Sequence, residues 1–135
     1  MKYTDGKNIM VYAQSADGAP VGAALETVSK AAELAKANGE EVIAVVFGKD
    51  TDTKTVITAG ASKVLVAGEE GLPAEEKAQI LVKLAEKYQP KAVYMAGTPE
   101  GKMIAPAVSA VFESGCVTDV TGITADGVYT SLSYN

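Results

Sequence analysis

Strand-like and helix-like segments alternate along the chain, which predicts an α/β fold: a Rossmann-like, three-layer α/β/α arrangement around a mostly parallel sheet. Three observations carry this expectation. Short, nearly continuous apolar runs recur, as in strands buried on both faces. Segments of helical spacing follow them. The joints between are brief and rich in Gly, Pro, Asn and Asp. The chain has 135 residues, of which 47% are hydrophobic. That is enough for one domain, residues 1–135, with a core of its own.

The elements follow in order. "NIMVYAQ" (Asn8–Gln14) is the first strand, and Gly18 and Pro20 mark the turn after it. Val21, Ala24, Leu25, Val28, Ala31, Ala32 and Ala35 fall at helical spacing, and Asn38-Gly39 supplies the stop. "EVIAVVFG" (Glu41–Gly48) is the second strand. Asp50 is placed to cap a short helix reaching Ala59, with Gly60 beyond its end. "SKVLVAG" (Ser62–Gly68) is the third strand. Pro73 opens a helix with Glu75 and Glu76 in its first turn, where the helix dipole favours acids. Ile80, Leu81, Leu84, Ala85 and Tyr88 form its inner face, and Pro90 ends it. "KAVYMAG" (Lys91–Gly97) is the fourth strand. After Gly115 the pattern changes to short strands, "CVTDVTGI" and "VYTSLSYN", around a turn at Asp126-Gly127.

What the chain lacks restricts its chemistry. It has no His, and all 12 basic residues are Lys. Nucleophile systems that depend on His are excluded, and with a single Cys so is a structural zinc site. No metal site is expected. Cys116 reads as a small buried apolar residue. The net charge is −5 and the Lys residues are scattered, so nucleic acid is not an expected partner. No apolar run approaches the length of a membrane span, and the N-terminus has no signal-peptide core. A cytoplasmic, soluble protein is the expectation, and no residue reads as a catalytic acid, base or nucleophile. Asp119 reads as a hydrogen-bonding partner for loop backbone.

The stretch "AGTPEGKMIAPAVSA" (Ala96–Ala110) is the most informative. Its glycines suggest a phosphate loop, but three residues separate Gly97 from Gly101, and Met103 follows Lys102. A Walker loop needs four residues there, and Ser or Thr after the Lys. The dinucleotide fingerprint fails too, for want of further glycines. What remains is a strand end, a turn and a helix start, with Thr98 as N-cap and Pro99 in the first position. If a nucleotide or anion binds, the candidate residues are Gly97, Thr98, Gly101 and Lys102 at the helix N-terminus. Pro106, about two turns in, predicts a bend in a helix running to Ser114, with Ile104, Val108, Val111 and Phe112 as its apolar face.

The ordered set Gly97-Thr98, Gly101, Lys102, Ile104-Ala105-Pro106, Val108, Ala110, Gly115 and Val117-Thr118-Asp119-Val120 resembles the alpha subunit of electron transfer flavoproteins. "NIMVYAQ", "EVIAVVFGKD" and "AGASKVLVAG" resemble that family's first three strands. The resemblance covers essentially the whole chain, as the N-terminal domain alone. It implies a fold of the adenine nucleotide alpha hydrolase type. It also implies a scaffold or docking domain in a flavoprotein that passes electrons from dehydrogenases to a redox acceptor. Most FAD contacts of the complete family protein belong to a C-terminal domain for which nothing follows Asn135, so FAD is not expected in this chain alone. AMP is expected in a beta-like partner subunit. Self-association is a further expectation, because relatives continue with strands that would cover the terminal segments. The chain departs from the family at Lys102 and Ala107, where Arg is usual; Arg and Lys are not equivalent at bidentate or stacked sites. The alternative reading is a stand-alone adenine-nucleotide-binding module of the universal-stress-like group.

Overall fold

The computed structural model describes residues 7–109 and 122–124. Strand β1 (Ile9–Tyr12) is buried at all four positions. Beside it lie β4 (Val42–Phe47), also fully buried, and β6 (Ala92–Met95). β5 (Lys63–Gly68) pairs with β4, and β7 (Gly122–Thr124) with β6. The sheet order is β5-β4-β1-β6-β7. The first four strands are mutually parallel and β7 runs antiparallel. The winding therefore reverses between β1 and β6, the switch point of a doubly wound sheet.

Side-chain alternation along the strands divides the core in two. Ile9 and Val11 face one side, with Val28 and Ala31 of α1 (Gly22–Ala37) and Val56 of α2 (Thr53–Ala59). Met10 and Tyr12 face the other side, with Leu81 and Ala85 of α3 (Ala74–Tyr88) and Ile104 and Val108 of α4 (Pro99–Ser109). Both faces are covered, which is why the strands read as unbroken apolar runs rather than alternating ones. The three-layer, mostly parallel arrangement expected from the sequence is the one observed.

Three details differ from, or extend, the expectation. Asp52, not Asp50, caps α2: the Thr55 N–H donates to Asp52 Oδ1 at 3.2 Å, and the Thr55 hydroxyl to Oδ2 at 2.6 Å. Asp50 precedes the helix by too much to reach its free N–H groups. The turn at Gly18 and Pro20 is a small hairpin of β2 (Ser15–Ala16) and β3 (Ala19–Pro20). Its central pair, Asp17 and Gly18, takes φ of 53° and 81°. Positive φ at both positions gives the type I′ turn that Asp-Gly favours. Finally, α4 continues through Pro106, which lies on its exposed side, while Ile104, Ala105 and Val108 are buried. Val111, Phe112, Cys116, Asp119 and the terminal segments from Gly127 onward lie outside the described residues.

The hairpin is tied across the C-terminal edge of the sheet. The N–H groups of Asp17 and Gly18 donate to the two carboxylate oxygens of Glu70, each at 3.0 Å. The Asp52 N–H donates to the Gly18 carbonyl at 3.1 Å. The loops after β1, β4 and β5 are thereby held together.

Candidate functional site at the sheet switch point

The loop from β6 to α4 opens at the switch point, where ligands of open α/β sheets are held. Gly97 is exposed at the end of the strand. Thr98 caps the helix: its hydroxyl oxygen accepts the Gly101 N–H at 3.0 Å and donates to Gln14 Oε1, beyond β1, at 2.6 Å. Gly101 is buried, and a Cβ there would overlap the carbonyl oxygen of Ala96. Its lack of a side chain is required by the close approach of α4 to the end of β6. The Lys102 N–H donates to the Thr98 carbonyl at 2.9 Å, as in any first helical turn, and its side chain is exposed. The four candidate residues are thus adjacent in space, at the N-terminus of α4. The Thr98 hydroxyl occupies the Gly101 N–H, and helix–strand packing fills the space beside the glycine.

Glu100 supplies an anion of the chain's own in this first turn, where the helix dipole favours it. It accepts a hydrogen bond from the Tyr12 hydroxyl. Lys77 Nζ donates to its two oxygens at 3.4 and 3.3 Å. Lys77 is only 3% exposed, so its charge requires this pairing. The same ammonium lies 5.5 Å from the centroid of the Phe47 ring. Phe47 in turn meets Tyr12 edge-on, with ring centroids 5.8 Å apart. Burial first, then the hydrogen bond and charge of Glu100, push the Tyr12 phenol well above its usual range. The cluster joins β1, β4, α3 and α4 in one network. Its groups satisfy one another, which makes it a structural clasp.

A separate cleft of about 600 Å³ lies further along the same edge, beyond the ends of β4 and β5. Gly48, Thr51, Val66, Gly68 and Glu69 contribute to its walls, and none of Gly97, Thr98, Gly101 or Lys102 does. No group of His, Cys, Asp and Glu among the described residues could hold a metal ion. No helix among them is long and apolar enough to cross a membrane.

The family model described as "Electron transfer flavoprotein domain" matches residues 9–134. The chain belongs to this family. Among curated flavoprotein relatives, the electron transfer flavoprotein subunit alpha of Clostridium acetobutylicum is 29% identical over 131 residues, 93% of this chain and 39% of its own length. The corresponding subunit of Thermoanaerobacterium thermosaccharolyticum is also 29% identical, covering 90% of this chain and 38% of its own length. Subunit LctC of the lactate dehydrogenase (NAD(+),ferredoxin) of Acetobacterium woodii is 29% identical over 120 residues, 85% of this chain and 29% of that protein. The chain therefore spans well under half the length of these relatives. A crystal structure of a universal stress protein in complex with cAMP aligns with 81% of the chain and 94% of its own, at 15% identity and a TM-score of 0.44. The resemblance of the Gly97–Val120 run to the alpha subunit thus reflects membership of the electron transfer flavoprotein family.

Sequence reasoning located Thr98, Gly101 and Lys102 but missed Tyr12, Lys77 and Glu100. One signal was available: Lys77 lies four residues before Leu81, on the buried stripe of α3. A cation on an apolar stripe calls for a buried anion. Nothing in the sequence says that this anion stands in α4, 23 residues later.

Proposed function

We propose that this chain is a scaffold and docking domain of an electron transfer flavoprotein alpha subunit, forming one domain over residues 1–135 and performing no chemistry of its own. The match of the electron transfer flavoprotein domain to residues 9–134 carries the reading. In the complete protein, FAD held elsewhere carries the electrons from a dehydrogenase to an acceptor, and the protein supplies position and electrostatics. The partner is a beta-like subunit, and AMP belongs to that partner. The switch-point loop supports this division of labour. Its cap is made by Thr98 and its first turn carries Glu100, so the site where a related fold would seat phosphate is completed from within.

The test is to purify the chain alone and together with a beta-type electron transfer flavoprotein subunit. The chain alone is expected to be colourless, with no flavin absorbance, and to co-elute with the beta-type subunit when the two are mixed. A yellow preparation holding one flavin per chain would overturn the assignment of FAD to another part of the protein. Separate elution at every ratio would overturn the docking role.

A further inference from the structure

Between β1 and α1 the chain makes an excursion that adds nothing to the core. The Val21 N–H donates to the Gln14 carbonyl at 2.9 Å and closes a neck, and residues 15–20 stand beyond it as the β2–β3 hairpin. None of these six residues is buried, and Ala16, Asp17, Gly18 and Ala19 are exposed. What ties the tip down is polar. Among the described residues, Glu70 accepts from the N–H groups of Asp17 and Gly18, and the Asp52 N–H donates to the Gly18 carbonyl. One carboxylate thus makes two of these three hydrogen bonds. The closed position also carries a cost: the Ser15 hydroxyl oxygen is buried with no hydrogen-bond partner among the described residues. Lifting the hairpin into water relieves it. Below the tip, the loops after β4 and β5 are joined without its help, by the Gly48 N–H donating to the Gly68 carbonyl at 2.6 Å.

A segment with few buried apolar contacts and exposed hydrogen bonds opens locally, while the rest of the fold stays closed. We propose that the β2–β3 hairpin is a flap, hinged at the Gln14–Val21 neck and latched by Glu70, that opens and closes one wall of the cleft beyond β4 and β5. Gly18 at its tip and Glu70 at the latch both line that cleft, whose volume is about 600 Å³ with the flap down. Lifting the tip takes Gly18 out of the wall and releases the Glu70 carboxylate from the two N–H groups. The type I′ turn and the β2–β3 pairing are internal to the hairpin, so the flap keeps its shape as it moves. The Gly48–Gly68 bond keeps the floor of the cleft in place while the wall moves. The cleft lies at the C-terminal edge of parallel strands, the edge at which sheets of this kind hold ligands. A wall that moves there controls entry. The inference does not rest on the docking role proposed above.

Amide hydrogen exchange, followed residue by residue by NMR on the full chain, tests it with Asp52 as the reporter. In Glu70→Ala the Asp17 and Gly18 amides lose their acceptor and exchange faster whether or not a flap moves. The Asp52 amide keeps its acceptor, the Gly18 carbonyl, in that variant. It is expected to exchange about tenfold or more faster, because loss of two hydrogen bonds to a charged group lets the tip leave as a unit. Glu70→Gln, which keeps an acceptor oxygen and loses the charge, is expected to fall between wild type and Glu70→Ala. The Val21 amide at the neck and the Thr55 amide, held by the Asp52 side chain, are expected to keep their wild-type rates. Unchanged exchange in β1 and β4 shows that each variant is folded. An Asp52 amide indifferent to Glu70→Ala would overturn the proposal, because the tip would then be held by other contacts. So would a Val21 amide accelerated to the same extent, which means that the segment unfolds rather than hinges, or a Thr55 amide accelerated with Asp52, which means that α2 frays instead.

Discussion

Gly101 and Tyr12 show how single residues at the switch point serve the fold. Gly101 stands where a Cβ would overlap the Ala96 carbonyl, a backbone atom that cannot swing aside. Gly101→Ala is therefore expected to destabilise the chain by about 1–3 kcal/mol, as overpacking generally does. A denaturant melt measures it, and an unchanged midpoint would show that α4 can shift away from β6. Tyr12 makes stability depend on alkaline pH. Its folded phenol holds its proton beyond the point, near pH 10, at which the unfolded chain's phenol loses it. The contribution is complete below about pH 10 and is lost as the pH rises further. Tyr12→Phe should flatten the decline. An alkaline limb of unchanged slope would show that the phenol does not couple to folding. Of these residues, sequence alone offered Gly101 as a candidate nucleotide- or anion-binding residue at a helix N-terminus. Its reason is a contact with a backbone carbonyl, and no spacing rule reveals one.

Among the elements, the strands and the three long helices were readable because burial on both faces leaves uninterrupted apolar runs and 3.6-residue stripes. The ends were less readable. Asp50 and Asp52 are both good cap residues, and only the observed geometry selects Asp52, through Thr55. Those hydrogen bonds hold the Asp52 carboxyl below its usual range. Asp52 therefore stabilises α2 above the unfolded carboxyl's pKa, near 3.9, and this contribution is lost as the pH falls. Asp52→Ala is expected to lower the melting temperature at neutral pH. Asp52→Asn, which keeps an acceptor for the Thr55 N–H, should retain more stability and remove part of the acid dependence. Equal melting temperatures for the two variants would show that the cap contributes nothing. The hairpin carried its signal in the Asp17-Gly18 pair, but its flanking strands are two residues each, too short for any period to show.

Across the whole molecule, the sheet order sets where stability resides. Short right-handed crossovers made a parallel sheet legible from the alternation of elements. The order β5-β4-β1-β6 was not legible, because it depends on which side of β1 each crossover returns to. That order places β1 at the centre, paired with β4 on one side and β6 on the other, with all its side chains buried. Among the described residues β5 is paired on one side only, and its side chains are half-buried or exposed. Amides in the central strands can exchange only when the sheet opens as a unit, whereas an edge strand opens by local fraying. Amide hydrogen exchange on dilute protein is therefore expected to be slowest in Ile9–Tyr12 and Val42–Phe47 and clearly faster in Lys63–Gly68. The α2 helix rests on β5 and is only seven residues long, so its amides should follow the edge rather than the centre. Uniform protection from β1 to β5 in dilute protein would mean that the sheet opens as one unit, and that the open edge gives β5 no freedom of its own.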